Sequence, residues 1–244
     1  MRERLFSRID VAAALADLHE RRVNYEVNYD PAQAPLAEGR RGRWHVDAQS
    51  TVIGREPPGA AVPGAAWEIA CALVRRYEFT DPRLVRAVYR SGARLLGRDM
   101  LLEGRFLWLR FYLGVRVTSV ADETRGSGAA AERVWGWSYQ TLEGHLEEGR
   151  LSYEVIKNLG SGEVRFEVSG YSRPAPIRQP VIKLGFRLFG RRTQLRFYRT
   201  VQQRLRAHVQ AVLRGEPLPE PAVRADGLVV APADATPADA TPTR

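Results

Sequence analysis

Apolar side chains between Met100 and Arg173 recur at every second position, and a cationic stretch after them repeats its apolar residues at helical spacing. Alternation marks a strand with one covered face, and spacings of three and four mark a helix with one covered stripe. Candidate strands fall at about 100–109, 112–122, 133–142, 150–157 and 163–173. They are parted by Gly114, Gly126-Ser127-Gly128, Gly144 to Gly149, and Gly160-Ser161-Gly162. Short sequential strands with tight turns predict an antiparallel meander. Ser172-Arg173-Pro174-Ala175-Pro176 ends it, and Pro180 suits the first turn of a helix. Leu184, Leu188, Leu195, Tyr198, Leu205, Val209 and Val212 form that helix's stripe, and Gly215 is its stop. Gly185 or Gly190 is expected to interrupt it, leaving one main helix after about Gly190.

Upstream, Asp10 can cap a helix carrying Val11, Ala14, Leu15 and Leu18. Val23 to Tyr29 reads as extended, Asp30-Pro31 as a turn, and 31–43 as a loop. Trp44, Val46 and Ala48 alternate with His45, Asp47 and Gln49, predicting a strand that continues to Gly54. After the breakers Pro57, Pro58, Gly59, Pro63 and Gly64, two short helices are expected, Trp67 to Tyr77 and Pro82 to Tyr89, the second opened by Asp81-Pro82. The order is therefore α+β: strand, two helices, strands, long helix. Residues 216–244 hold six of the 15 prolines and an ADATP repeat, and are expected to be disordered.

At 44% hydrophobic residues, the 244-residue chain can bury one substantial domain with appendages. Its longest apolar stretch, Leu107 to Val117, is interrupted by Arg110 and Arg116 and falls short of the ~20 residues that span a bilayer. Asp10, Asp17 and Glu20 spoil any secretory core, so a cytoplasmic location is expected. Cys71 stands alone in a helical, apolar setting and reads as core. The net charge of +9 resides in one segment: Lys183, Arg187, Arg191, Arg192, Arg196, Arg199, Arg204, Arg206 and Arg214 lie between Pro180 and Arg214 with no Asp or Glu among them. Such a helix back could meet an anionic membrane surface or nucleic acid phosphates. Yet 35 of the 37 basic residues are Arg, a bias that also fits a solvated helix back.

Trp135, Trp137, Tyr139 and Thr141 share one side of a strand, Leu151, Tyr153 and Val155 one side of the next, and Val164, Phe166, Val168 and Ser172 one side of the third. Ser152, Glu154, Arg165, Glu167 and Ser169 lie opposite. The aromatic wall is either a core under the helix or one side of a pocket, where the tyrosine hydroxyls, Thr141 and Ser172 would address a polar group. Of His19, His45, His145 and His208, only His145 has acidic neighbours, and no second histidine completes a metal site. There is no G-x-S-x-G elbow, H-E-x-x-H or Walker-type glycine loop. No catalytic residue, metal or cofactor is predicted; an enzyme using His145 with Glu147 or Glu148 is the weakest alternative.

The run Gly136-Trp137-Ser138-Tyr139-Gln140-Thr141-Leu142-Glu143-Gly144-His145-Leu146-Glu147-Glu148-Gly149, followed by Tyr171-Ser172-Arg173-Pro174-Ala175, resembles the uncharacterised DUF1990 family, departing from its pattern at Gln140, where glycine is usual. That family is similar to the START-like, birch-pollen-allergen superfamily. The resemblance implies a helix-grip fold: a curved antiparallel sheet of about six to seven strands wrapped around a long C-terminal helix. It implies no reaction or ligand. Residues 1–41 are then an N-terminal helix and extended segment, 42–215 the helix-grip domain and 216–244 a tail. The expected function is binding of a hydrophobic small molecule or lipid between sheet and helix. Trp135, Trp137, Tyr139, Tyr153 and Phe166 would line the site, Thr141 and Ser172 would hydrogen-bond a polar end, and His145 and Arg173 would lie nearby, Arg173 at the rim. The alternative is a peripheral membrane or interaction module using the basic helix face.

Overall fold

The structure, a computed structural model, describes residues 13–16, 26–34, 44–106, 109–176 and 180–233, with side chains except in 105–111 and 180–191. Nine antiparallel strands form one open sheet, β1 (His45–Arg55), β2 (Val85–Arg90), β3 (Asp99–Phe106), β4 (Leu109–Arg125), β5 (Glu132–Thr141), β6 (Glu147–Asn158), β7 (Glu163–Pro174), β8 (Ala222–Val223) and β9 (Leu228–Ala231). Their order across the sheet is β1-β7-β6-β5-β4-β3-β2-β9-β8. Helix α1 (Ala66–Arg76) and the 34-residue α2 (Pro180–Leu213) contact each other and cover one face, the helix-grip arrangement. The chain is α+β, and no helix among the described residues is long and apolar enough to cross a membrane.

The inner face is a single core. Ile53, Met100, Leu102, Val115, Val117, Val155, Val164 and Val168 meet Ile69, Ala70, Leu73 and Val74 of α1 and Tyr198, Val201, Leu205 and Val209 of α2. Cys71 belongs to this core, and burial pushes its thiol pKa up. On the outer face a smaller cluster, Val88, Leu101, Leu142 and Leu228, is covered by Leu15 from helical residues 13–16. The proposed helix cap Asp10, the end of that helix at Leu18, and the ADATP repeat lie outside the described residues.

Helix α1 forms because Ala66, Ile69, Ala70, Leu73 and Val74 fall on one stripe. Its N-cap, Ala65, has no side chain to offer. The Glu56 carboxylate does the capping instead, accepting the backbone N–H groups of Trp67 at 2.6 Å and Val62 at 3.2 Å. Lys157 Nζ donates to the same carboxylate at 2.7 Å and to the Ala60 carbonyl at 2.7 Å, and both charged side chains are buried. This buried pair pins the Pro/Gly-rich loop between β1 and α1.

Four expectations are corrected. Pro82 to Tyr89 is not a second helix. Asp81 holds one turn, its carboxylate accepting Arg83 N–H at 2.9 Å and its carbonyl accepting Leu84 and Val85 N–H, and β2 follows. Ala87 and Tyr89 belong to the inner core and Val88 to the outer cluster. With both faces covered, the alternation that signals a strand is hidden. Residues 216–233 are not disordered: β9 pairs with β2 and buries Leu228, Val229 and Ala231, which raises the strand count above six or seven. Helix α2 is continuous through Gly185 and Gly190. At ~1.5 Å per residue it is about 50 Å long. Gly114 lies inside β4, opposite Leu101, rather than between strands.

Candidate functional site

The inner face brings together Trp135, Trp137, Tyr139, Tyr153 and Phe166, all nearly inaccessible. Their strands set the spacing: Trp137 pairs with Tyr153 and Trp135 with Val155 across β5 and β6, and Val155 pairs with Phe166 across β6 and β7. Trp137 meets Tyr153 edge to face at 5.1 Å between centroids, Tyr139 is tilted against both, and Phe166 stacks on Tyr153 at 6.3 Å. Arg75 of α1 lies 4.7 Å over the ring of Trp135.

Tyr77, read in the sequence only as the end of a helix, and Phe79, which lay between the two expected helices, complete this wall. Phe79 is 4.8 Å from Tyr153 and 5.7 Å from Phe166, and Tyr77 packs on Phe79, Trp137 and Tyr153. Tyr77 terminates α1 in the left-handed region, φ 65°, and is the one non-glycine with positive φ among the described residues. Its N–H bonds to the Val74 carbonyl, and Glu78 N–H to that of Leu73, a helix stop in which glycine is usual. A bulky side chain there costs about 1–2 kcal/mol, so the ring packing must hold the backbone in place. Trp137 Nε1 donates to the same Val74 carbonyl at 3.2 Å and fastens the helix end to the sheet. The signal in the sequence was the absence of glycine after Arg76.

Within this apolar surround sit three phenols. Tyr77, Tyr139 and Tyr153 are close enough to perturb each other's ionisation, and burial pushes all three pKa values up. Tyr198 of α2 also acts on Tyr139. The hydroxyls of Tyr77 and Tyr153 are buried without a well-formed hydrogen bond.

The remaining sequence-selected residues are placed elsewhere or already engaged. Ser172 faces inward, but its Oγ accepts from Gln194 of α2 at 2.9 Å. Thr141 Oγ1 donates to Asn28 Oδ1 at 2.6 Å and accepts Gly149 N–H at 2.9 Å, while Asn28 Nδ2 donates to the Glu147 carbonyl. His145 is buried, its Nδ1 accepts Glu147 N–H at 2.9 Å, and desolvation pushes its pKa down to about 4. Arg173 lies on the outer face, bonded to Glu148 at 2.5 Å and 4.4 Å above the ring of Trp44. Trp44 in turn packs edge-on to Tyr29 and Tyr171, whose hydroxyls are 3.0 Å apart. Gln140, where the family pattern favours glycine, donates to Tyr29 at 2.9 Å. Gly149 has no room for a side chain, since a Cβ would strike the Tyr171 carbonyl and Ser172 Cα. The later part of the most recognisable motif, Gln140 to Gly149, thus ties residues 28 and 29 to the sheet, while its Trp137 and Tyr139 belong to the aromatic wall.

Two solved structures with loose overlap are a crystal structure of Ara h 8.0201 and a point mutant of Thalictrum flavum norcoclaurine synthase in complex with a transition-state analogue. The first has TM-score 0.38 at 11% identity, covering 69% of this chain and 99% of that one. The second has TM-score 0.40 at 12% identity, covering 68% and 96%. Overlap this loose carries no argument about activity. No curated protein matches the chain. A family profile matches residues 28–204, from the Asn28 that bonds Thr141 to the Arg204 of α2, and the chain therefore belongs to DUF1990, a domain of unknown function.

Proposed function

We propose that this chain binds a hydrophobic small molecule, or the apolar part of a lipid, between the inner face of the sheet and α2. The observation that carries the reading is the pair of buried hydroxyls of Tyr77 and Tyr153, close to each other inside an aromatic wall yet without a well-formed hydrogen bond. A buried hydroxyl without a partner costs about 1–3 kcal/mol, and a ligand's polar group offsets that cost. Trp135, Trp137, Tyr139, Tyr153 and Phe166 line the site, joined by Tyr77, Phe79 and Tyr198. Ser172 accepts from Gln194 and keeps its own O–H for a second bond. Thr141, His145 and Arg173 hold the fold around the site. Native mass spectrometry of the protein isolated from its own cells is expected to show a bound small molecule, released on denaturation. A chain of bare mass whose inner face is closed by side chains in solution would sink the proposal.

A second reading concerns the back of α2. Arg192, Arg196, Arg199 and Arg206 are exposed there, and the first three recur at spacings of four and three. An anionic bilayer surface would gain roughly 1 kcal/mol per cation. Flotation with phosphatidylserine-containing vesicles, compared with neutral ones and with the variant Arg192→Glu/Arg196→Glu/Arg199→Glu, tests it. Equal recovery with both lipids removes the reading.

A further inference from the structure

The environment of the phenols constrains the chemistry of what they would hold. The leading influences on Tyr77, Tyr139 and Tyr153 are burial and one another, Tyr198 and, least, the Glu147 carboxylate also acting on Tyr139, and no cation figures among them. Among the described residues, the buried charged side chains are engaged with other partners. Glu56 holds Lys157 and caps α1, Asp81 holds Arg83, Asp99 holds Arg116, Glu148 holds Arg173, and Glu78 accepts the N–H of Ala233. Glu103 lies on β3 opposite Arg86 of β2. Trp137, one of the two indoles in the wall, has its N–H committed to Val74.

We propose, resting on the reading above, that the polar group of the ligand is an uncharged oxygen acceptor, a ketone, aldehyde or ester carbonyl, taking hydrogen bonds from the Tyr77 and Tyr153 hydroxyls. Among the described residues the cation that rests on the wall, Arg75 over the ring of Trp135, is itself exposed to solvent, so a carboxylate would give up its hydration for phenol donors that do not restore it. An ammonium could rest on aromatic faces, but only by giving up its hydration with no carboxylate to replace it. A carbonyl oxygen has two lone pairs, carries no net charge, and accepts both donors at once. The upward displacement of the phenol pKa values has the same origin: burial disfavours negative charge here.

The test uses two scaffolds, naphthyl and n-decyl, each as methyl ketone, carboxylate, primary ammonium and parent hydrocarbon, titrated into the full chain by calorimetry. The methyl ketone is expected to bind tightest on at least one scaffold. Tyr153→Phe and Tyr77→Phe should each reduce the preference of the ketone over the hydrocarbon by roughly fivefold to tenfold. Both variants should melt no lower than wild type, since each removes a buried hydroxyl that makes no well-formed hydrogen bond. A structural role alone would alter melting and leave the ketone-to-hydrocarbon ratio unchanged. Tighter binding of the carboxylate or ammonium, or a ratio untouched by both variants, overturns this inference and leaves hydrophobic binding standing. Failure of every probe on both scaffolds to bind wild type overturns both.

Discussion

Two residues show how single side chains fix this fold. Thr141 sits where strand β5 ends, and its hydroxyl joins Asn28 to the Gly149 backbone. Replacing it by valine keeps the shape but strands a buried amide N–H and an amide oxygen. Thr141→Val is expected to lower stability by about 1–3 kcal/mol in urea unfolding and to speed proteolysis between residues 30 and 44. Unchanged cleavage there would show that Asn28 is held by other means. Lys157, one of two lysines in the chain, is fully buried against Glu56. Lys157→Met strands a carboxylate and should cost about 3–5 kcal/mol. Adding Glu56→Gln should restore most of that, because an amide oxygen still caps the Trp67 N–H without a charge. Additive losses would rule out the ion pair as the cause. Neither role was legible in the sequence, because the partners lie about 100 positions apart.

At the scale of elements, two buried groups give opposite pH dependences. Desolvation pushes Glu78, at the end of α1, from 4.5 up to about 7, partly countered by the Ala233 N–H, Arg204 and Arg76. Between these values the folded protein holds the extra proton, so stability falls as pH rises. His145, in the β5–β6 connection, is pushed from 6.5 down to about 4, so the unfolded chain holds the extra proton there and stability falls as pH drops. The two slopes oppose each other where the windows overlap. Glu78→Gln should leave stability near wild type at pH 4.5, raise it by about 1–3 kcal/mol at pH 8, and expose the acid-side loss due to His145. Chemical denaturation across pH 4–8 reads this directly, and parallel profiles would refute it. The meander and the basic helix were legible as elements because each keeps one face dry. Strand β2 was not, being covered on both faces, and α2 runs through two glycines although glycine disfavours a helix interior.

For the molecule as a whole, the last strands act as a structural closure. Ending the chain at Gly215 would remove β8 and β9, expose the edge of β2, and uncover Val88 and Leu101. With Leu228, Val229 and Ala231 lost from the interior, a fall of roughly 3–6 kcal/mol is expected, with concentration-dependent association through the bared edge. Identical melting of the shortened chain, and no growth in light scattering, would refute it. These strands escaped notice in the sequence because six prolines dominate the composition of the segment, while the apolar run that pairs, Leu228 to Ala231, is four residues long. The candidate site was half legible for a similar reason. The alternating strands announced the aromatic wall, but Tyr77 and Phe79 reach it from a connection whose course depends on a left-handed residue.

The sheet order also sets a timetable for synthesis. Strand β1 leaves the ribosome early, yet its neighbour is β7, with Arg55 and Glu163 108 positions apart. At ~5–20 residues per second, the first strand waits on the order of 5–20 s for a partner. During that interval β3 to β7 can already close as successive hairpins. The growing chain must therefore carry an eleven-residue strand with no neighbour, and its late capture completes the sheet.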